Sequence, residues 1–345
     1  MLIAEAILEG RLDYSRELSD RLFTCFMCGA CEVQCEKAAK IGISQITKAM
    51  RRDTINAGLQ PERLNQITRA LSENHQIYEN SQWKGAGSMS SNAKINEKAD
   101  LLYFAGCVIS NRYPEIGRNT LRILNSSNID VTILGKNEWC CGNPALSMGK
   151  TSLAKEIIMH NVETIKRKGA KIVLTSCAGC HRTMSKDYQK FLNEELPFKV
   201  LHVTELLDRL IQEELIKFRN SNFKRVTYHD PCELGRQCKI YESPRRIIQS
   251  IPNLDLVEMV RNRDNAWCCG GGGNVAAVHP TKALKVAELR MREAQESGAE
   301  TLVTSCPSCI QMLELASKRM KTGIKVIDIS ELVSDAMETS AHERN

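Results

Sequence analysis

Fourteen of the fifteen cysteines fall into three sets whose spacing suits metal ligation. The first is Cys25-x2-Cys28-x2-Cys31-x3-Cys35. That compact run lets a short turn of chain wrap its thiolates round one cubane [4Fe-4S] cluster. A zinc knot is the rival reading, since four thiolates also suit zinc, and the compact spacing makes it the weaker one. Cys31 and Cys35 are four residues apart and share a helix face, which favours Cys35 as a local fourth ligand. A ligand from elsewhere, such as a partner chain, is the alternative.

The other two sets are copies of each other. Cys107, Cys140, Cys141, Cys177 and Cys180 are echoed by Cys232, Cys268, Cys269, Cys306 and Cys309. The flanks repeat as well. Trp139-Cys-Cys-Gly recurs at Trp267, KIVLTSCAGC as TLVTSCPSC, and FKVLHVTELL as IKVIDISELV. Two copies of one unit are expected. Five thiolates per copy exceed what one tetrahedral zinc takes, whereas a larger iron–sulfur centre would use them all.

Those cysteines must be positioned by something, and the surrounding pattern says what. In the first copy LLYFAG, VTIL, IVLTS and KVLHV read as strands, with helices near 114–125, 151–168 and 181–192. The second copy offers VTYHD, LDLVEM, TLVTS and KVIDI in the same order. Alternating strands and helices predict parallel sheets with covering helices. Cys107 and Cys177 directly follow strands, so each five-cysteine set should gather at the carboxyl edge of its sheet. Before the repeats, ISQITKAMRRDTI and LNQITRALSENH show helical spacing. Residues 76–98 are rich in Ser, Asn and Gly and read as a linker. The expected organisation is a helical [4Fe-4S] module at 1–75, the linker, then α/β units at 99–220 and 221–345.

The repeated Cys-x(31–39)-Cys-Cys-x(35–36)-Cys-x2-Cys pattern, with Gly after each Cys-Cys pair, resembles the CCG domains of heterodisulfide reductase, in its B subunit or the corresponding part of its D subunit. The resemblance covers about 101–335. The run at 25–35 is similar to the ferredoxin-like module of the C subunit, although Glu36 stands where the bacterial ferredoxin run has Pro. The resemblance implies two pseudo-symmetric Rossmann-like CCG units, each holding a noncubane [4Fe-4S] cluster on its five cysteines. It implies that a disulfide is cleaved between them, one sulfur to each cluster. Neither set is degraded, so both sites are complete. One departure is Glu233: many relatives read HDPCH where this chain reads HDPCE.

Other residues have two readings each. His181 and His229 sit beside ligand cysteines and are candidate proton donors or hydrogen-bond donors to cluster sulfur. Arg236, Arg245 and Arg246 could pair with an anionic substrate or begin a solvated helix. Gly270–Gly273 allow close backbone approach to a cluster or a substrate, or a phosphate cradle. Cys238 fits no set and reads as a small buried residue. CGNPALSMGKTS is two residues too long for a phosphate-binding loop, and no GxGxxG follows a strand, so no flavin or nucleotide is expected on this chain.

Composition narrows the setting. The charge of +6 comes without a dominating basic block, so a nucleic-acid role has no support. No run of about 18 apolar residues predicts a membrane span, although peripheral docking to a membrane complex is compatible with that. An N-terminus without a basic start and apolar core predicts no secretory signal and a cytoplasmic protein. There, an odd and high cysteine count means metal or redox chemistry rather than staples. Three functions follow. One is reduction of a small disulfide, or oxidation of paired thiols, with a flavoprotein or another iron–sulfur subunit as electron partner. The second is a conduit in a larger anaerobic oxidoreductase complex. The third is a zinc-dependent structural protein.

Overall fold

A computed structural model describes residues 2–35, 40–79 and 97–338. Most of the expected linker, 80–96, lies outside the described residues, as does Glu36.

All eight expected strands form. The first sheet holds β1 (Leu101–Tyr103), β2 (Val131–Ile133), β3 (Ile172–Thr175) and β4 (Lys199–His202). The second holds β5 (Arg225–His229), β6 (Asp255–Leu256), β7 (Thr301–Thr304) and β8 (Lys325–Asp328). Their orders are β2-β1-β3-β4 and β6-β5-β7-β8, with every pairing parallel. The central strands are buried along almost their whole length because helices cover both faces. In each sheet the chain reverses winding direction between the two central strands. Ligands of open α/β sheets bind in the crevice at that switch point.

The helix expected near 181–192 has a break. Ala178–Arg182 runs into a π-helical turn at Thr183–Asp187 before Tyr188–Leu192 continues. Such turns re-aim side chains, and Arg182 stands at the start of this one.

The two copies exchange helix contacts about a pseudo-twofold axis. Helix Pro114–Ser126 of the first packs on Ile329–Ala336 of the second, and Val203–Gln212 of the first packs on Glu242–Gln249 of the second. Arg122 Nη1 donates to Ser334 Oγ at 3.2 Å in one pair. Arg246 grips Asp208 in the other.

The N-terminal module sits on both copies. Helix Ile43–Asn56 lies against Asn143–Met148 of the first copy. From it projects Arg51, which is fully buried and donates to four backbone carbonyls. Two belong to the module, Leu22 at 2.9 Å and Cys25 at 2.8 Å. One is Ser147 of the first copy, and one is Gly273 of the second, each at 2.8 Å. Its guanidinium also stacks on Phe23, 4.2 Å from the ring centroid. Arg51 therefore ties three parts of the chain at one point. Arg51→Met should cost about 3 kcal/mol or more, since buried acceptors lose a charged donor. Arg51→Lys should recover only part of this, because three ammonium donors cannot reproduce the planar fork. Denaturant unfolding of the iron-loaded chain measures both.

Candidate functional site

Each five-cysteine set converges at the predicted sheet edge. In the first copy, Cys107 opens helix Cys107–Arg112 after β1, while Cys177 caps the helix after β3 and Cys180 lies within it. Cys140 and Cys141 arrive from β2 through a short 3-10 turn. All five are buried. Cys107 Sγ and Cys140 Sγ lie 3.8 Å apart. Hydrogen bonding to Cys107 and Cys141 pushes the Cys140 thiol well up. Bonds from Cys140 and Cys180 push Cys141 well down.

The second copy repeats the alternation. Contacts with Cys232 and Cys269 push Cys268 up, while contacts with Cys268 and Cys309 push Cys269 down. The sets meet across the pseudo-twofold axis, where Cys306 contacts Cys177. A cluster of five soft sulfurs with no carboxylate among them suits iron–sulfur ligation and exceeds a tetrahedral zinc site.

In the N-terminal set Cys25 and Cys28 are half-buried, and Cys31 and Cys35 are exposed. Cys35 N donates to Cys31 O at 3.1 Å, so the two stand one helical turn apart. The other edge of the set faces the second copy. Cys28 contacts Cys268, which lowers its thiol pKa to about 6, with help from the backbone of Ala30 and the charge of Arg236. The Gly270–Gly273 run makes this approach possible. A Cβ on Gly272 would lie 2.5 Å from Phe26 O, and one on Gly273 would lie 2.4 Å from Cys25 O. These glycines make room for the loop that carries Cys25 and Cys28.

Residues 101–185 and 226–314 both match the family described as the CCG cysteine-rich domain. The chain belongs to the CCG family. It is 37% identical over 325 residues to the D subunit of dihydromethanophenazine:CoB–CoM heterodisulfide reductase from Methanosarcina acetivorans, covering 93% of this chain and 79% of that protein. It is 29% identical to the B subunit of fumarate reductase (CoM/CoB) from Methanothermobacter marburgensis, over 92% of this chain and 62% of that one. It is 25% identical to an EtfAB:quinone oxidoreductase of Syntrophomonas wolfei, over 96% of this chain and 48% of that one. The chain is thus an iron–sulfur redox protein. Among the described residues no helix is long and apolar enough to cross a membrane.

Between the CCG units lies a cavity of about 390 Å³. Nine of the ten CCG cysteines line it, and the exception, Cys268, faces the N-terminal module instead. The module itself forms part of the wall through Phe26, Ser44 and Lys48. Its lining includes the apolar Ile77, Val108 and Met312 and the polar or charged Lys48, Arg182, Glu233 and Gln237. Glu233, next to Cys232, reaches across to the first copy. It lies 3.3 Å from Arg182 and accepts from Asn143 Nδ2 at 2.9 Å. Burial raises its pKa despite the arginine.

The two histidines stand behind the ligands and not on the cavity wall. His181 Nε2 is 3.5 Å from Glu205, its Nδ1 is buried without a partner, and burial lowers its pKa to about 4. His229 is buried against Cys269. None of the three arginines singled out in the sequence lines the cavity, and of them only Arg246, on helix Glu242–Gln249, is exposed as a solvated helix start would be. Arg245 is buried in a forked pair with Asp230, at 2.8 and 2.9 Å, and also binds Glu258. Arg246 joins the copies through Asp208. Arg236 Nε donates to Cys28 O at 2.7 Å. Cys238 is half-buried beside Ser185, and burial pushes its thiol up to about 11.

Lys48, Arg182 and Arg51 carry no sequence signal, because nothing in their local spacing marks them. The docking of the module on the second copy does have one. Otherwise parallel copies read Cys-Cys-Gly-Asn-Pro in one and Cys-Cys-Gly-Gly-Gly-Gly in the other.

Proposed function

We propose that this chain is the iron–sulfur redox component of a heterodisulfide reductase-like complex, reducing a disulfide or oxidising paired thiols in the cavity between the CCG units. Cys25, Cys28, Cys31 and Cys35 would hold a cubane [4Fe-4S] cluster. Each five-cysteine set would hold a noncubane one. Bound there, such clusters supply electrons one at a time. The observation that carries the reading is the cavity, which brings both sets to one enclosed space lined in part by cationic and hydrogen-bonding groups.

Conversion of one disulfide to two thiols takes two electrons and two protons. The chain's residues would hold the disulfide with one sulfur toward each set. Met312 and Ile77 would shield it from water, while Lys48 and Arg182 orient polar substituents. Proton supply is assigned to the wall residues Glu233 and Lys48, with His181 and His229 set back behind the ligands. Contact between Cys28 and Cys268 favours the second set as the neighbour that exchanges electrons with the N-terminal site. The electron partner, a flavoprotein or another iron–sulfur subunit, would approach the exposed Cys31 and Cys35.

The test uses anaerobically prepared chain, a reduced dye and candidate disulfides. About 12 irons per chain are expected for three four-iron clusters, with two thiols formed per disulfide consumed. Normal cluster reduction without thiol formation from any disulfide would point to an electron conduit, as the quinone-linked relative suggests. One or two zinc ions with little iron would end both redox readings.

A further inference from the structure

The two five-cysteine sites are built from one pattern, yet their surroundings differ at one position that bears on their redox balance. Three residues before Cys232 stands His229, and three residues before Cys107 stands Phe104. Both side chains are buried. The His229 ring is held by Arg290, whose Nε lies 3.0 Å from His229 Nδ1. Arg290 is itself fully buried, and its Nη1 is committed to Glu293 at 2.6 Å and to the Arg261 carbonyl at 2.7 Å.

An arginine can only donate hydrogen bonds. Nδ1 of His229 must therefore be the acceptor, and a neutral ring then carries its hydrogen on Nε2. Nε2 is buried and makes no hydrogen bond in this structure, which leaves its hydrogen free for a group that would occupy the site. What lies there is sulfur: a ring nitrogen of His229, Cys269 Sγ and Cys309 Sγ all fall within 4.8 Å of one another.

We propose that Arg290 locks His229 in the tautomer that donates Nε2–H to the Cys269 sulfur, so that the second CCG site is reduced at a higher potential than the first. Donors to ligand sulfur and nearby positive charge both favour the reduced form of an iron–sulfur centre. Buried positive charge is present at both sites, Arg236 and Arg290 at the second and Arg182 beside Cys141 at the first, so the histidine donor is what sets the second apart. At the first site Phe104 offers no donor. Glu138, a buried carboxyl near Cys141, is occupied there as an acceptor from the backbone of Gly106 at 2.8 Å. The asymmetry matches the docking of the module, because the site that touches Cys28 is the one biased toward accepting an electron. His229 touches a ligand sulfur, and Arg290 is a positioning residue acting through it. The inference rests on the proposed function, since it takes the five-cysteine sets as cluster ligands.

The experiment is a redox titration of the full iron-loaded chain, followed by electron paramagnetic resonance. Cys140→Ala identifies the second site's signal as the CCG signal it leaves behind. His229→Phe, which installs the first copy's residue, should move that signal to lower potential by at least a tenfold change in reduction equilibrium, about 59 mV for one electron. The other two signals should stay in place. His229→Gln, which can still present an N–H near the Nε2 position, should retain most of the wild-type potential. An unchanged potential in His229→Phe, or an equal fall in His229→Gln, would overturn the proposal. If His229→Phe fails to load iron at that site, Arg290→Leu decides. Freed from the lock, the ring should populate both tautomers and the potential should fall, and an unmoved potential would overturn the proposal. A wild-type chain lacking the CCG signals, or inert toward every disulfide, would instead count against the proposed function.

Discussion

Cys140→Ala is expected to abolish disulfide reduction while leaving the N-terminal signal intact. Cys268→Ala is expected to abolish reduction and disturb the N-terminal signal as well. Cysteine spacing treats these substitutions as equivalent, because each removes the first member of a Cys-Cys pair. The packing separates them. The Cys140 sulfur contacts only Cys107 and Cys141 of its own copy, while its backbone N–H donates to His75 O of the module at 2.8 Å. Cys268 contacts Cys232 and Cys269 but also Cys28 of the module. Loss of either sulfur should lower iron from about 12 to about 8 per chain. Only the second should change the line shape or potential of the cluster at Cys25–Cys35. Iron analysis and low-temperature spectroscopy of the two variants check this together. Identical N-terminal signals in both would mean that Cys28 and Cys268 do not share an edge in the loaded protein.

That contrast shows where the sequence is informative. Strand positions and the gathering of each cysteine set at a sheet edge are legible because both follow local rules. A cysteine after a buried apolar run falls at a sheet edge, and a repeated run yields a repeated sheet. Even a strand as short as Asp255–Leu256 can be placed, because the other copy marks its position. Contacts between units follow no such rule. Arg245 and Arg246 are sequence neighbours with the same charge. One enters the core to meet Asp230, and the other crosses to Asp208 of the first copy. Nothing within a few residues of either distinguishes these fates. The same holds for Arg51, whose four carbonyl acceptors come from three separated stretches. The π-helical turn after Cys180 reads as plain helix in the sequence because the apolar spacing there is compatible with both.

Gly272→Val should uncouple the N-terminal site from the CCG sites while leaving each of them assembled. The Gly272 Cβ would meet a backbone oxygen, Phe26 O, at 2.5 Å. A backbone atom in a ligand loop cannot swing aside as a flexible side chain does. The loop is further pinned by Arg51, which holds Cys25 O and Gly273 O at 2.8 Å each. Relief therefore requires the whole module to lift from the second copy, at about 1–3 kcal/mol for an overpacked contact. A shift of about 1 Å in a placed redox partner is enough to cost up to about 100-fold in rate. The variant should then show normal iron content and normal spectra at all three sites. Electron passage from the N-terminal cluster to the second set should be slowed at least tenfold in rapid-mixing measurements. A small dye that reaches the CCG sites directly should still drive disulfide reduction at the wild-type rate. That pairing of outcomes separates a docking defect from a damaged ligand set. If transfer through the module were equally fast with valine in place, the close approach of Cys28 to Cys268 would not be the path electrons use.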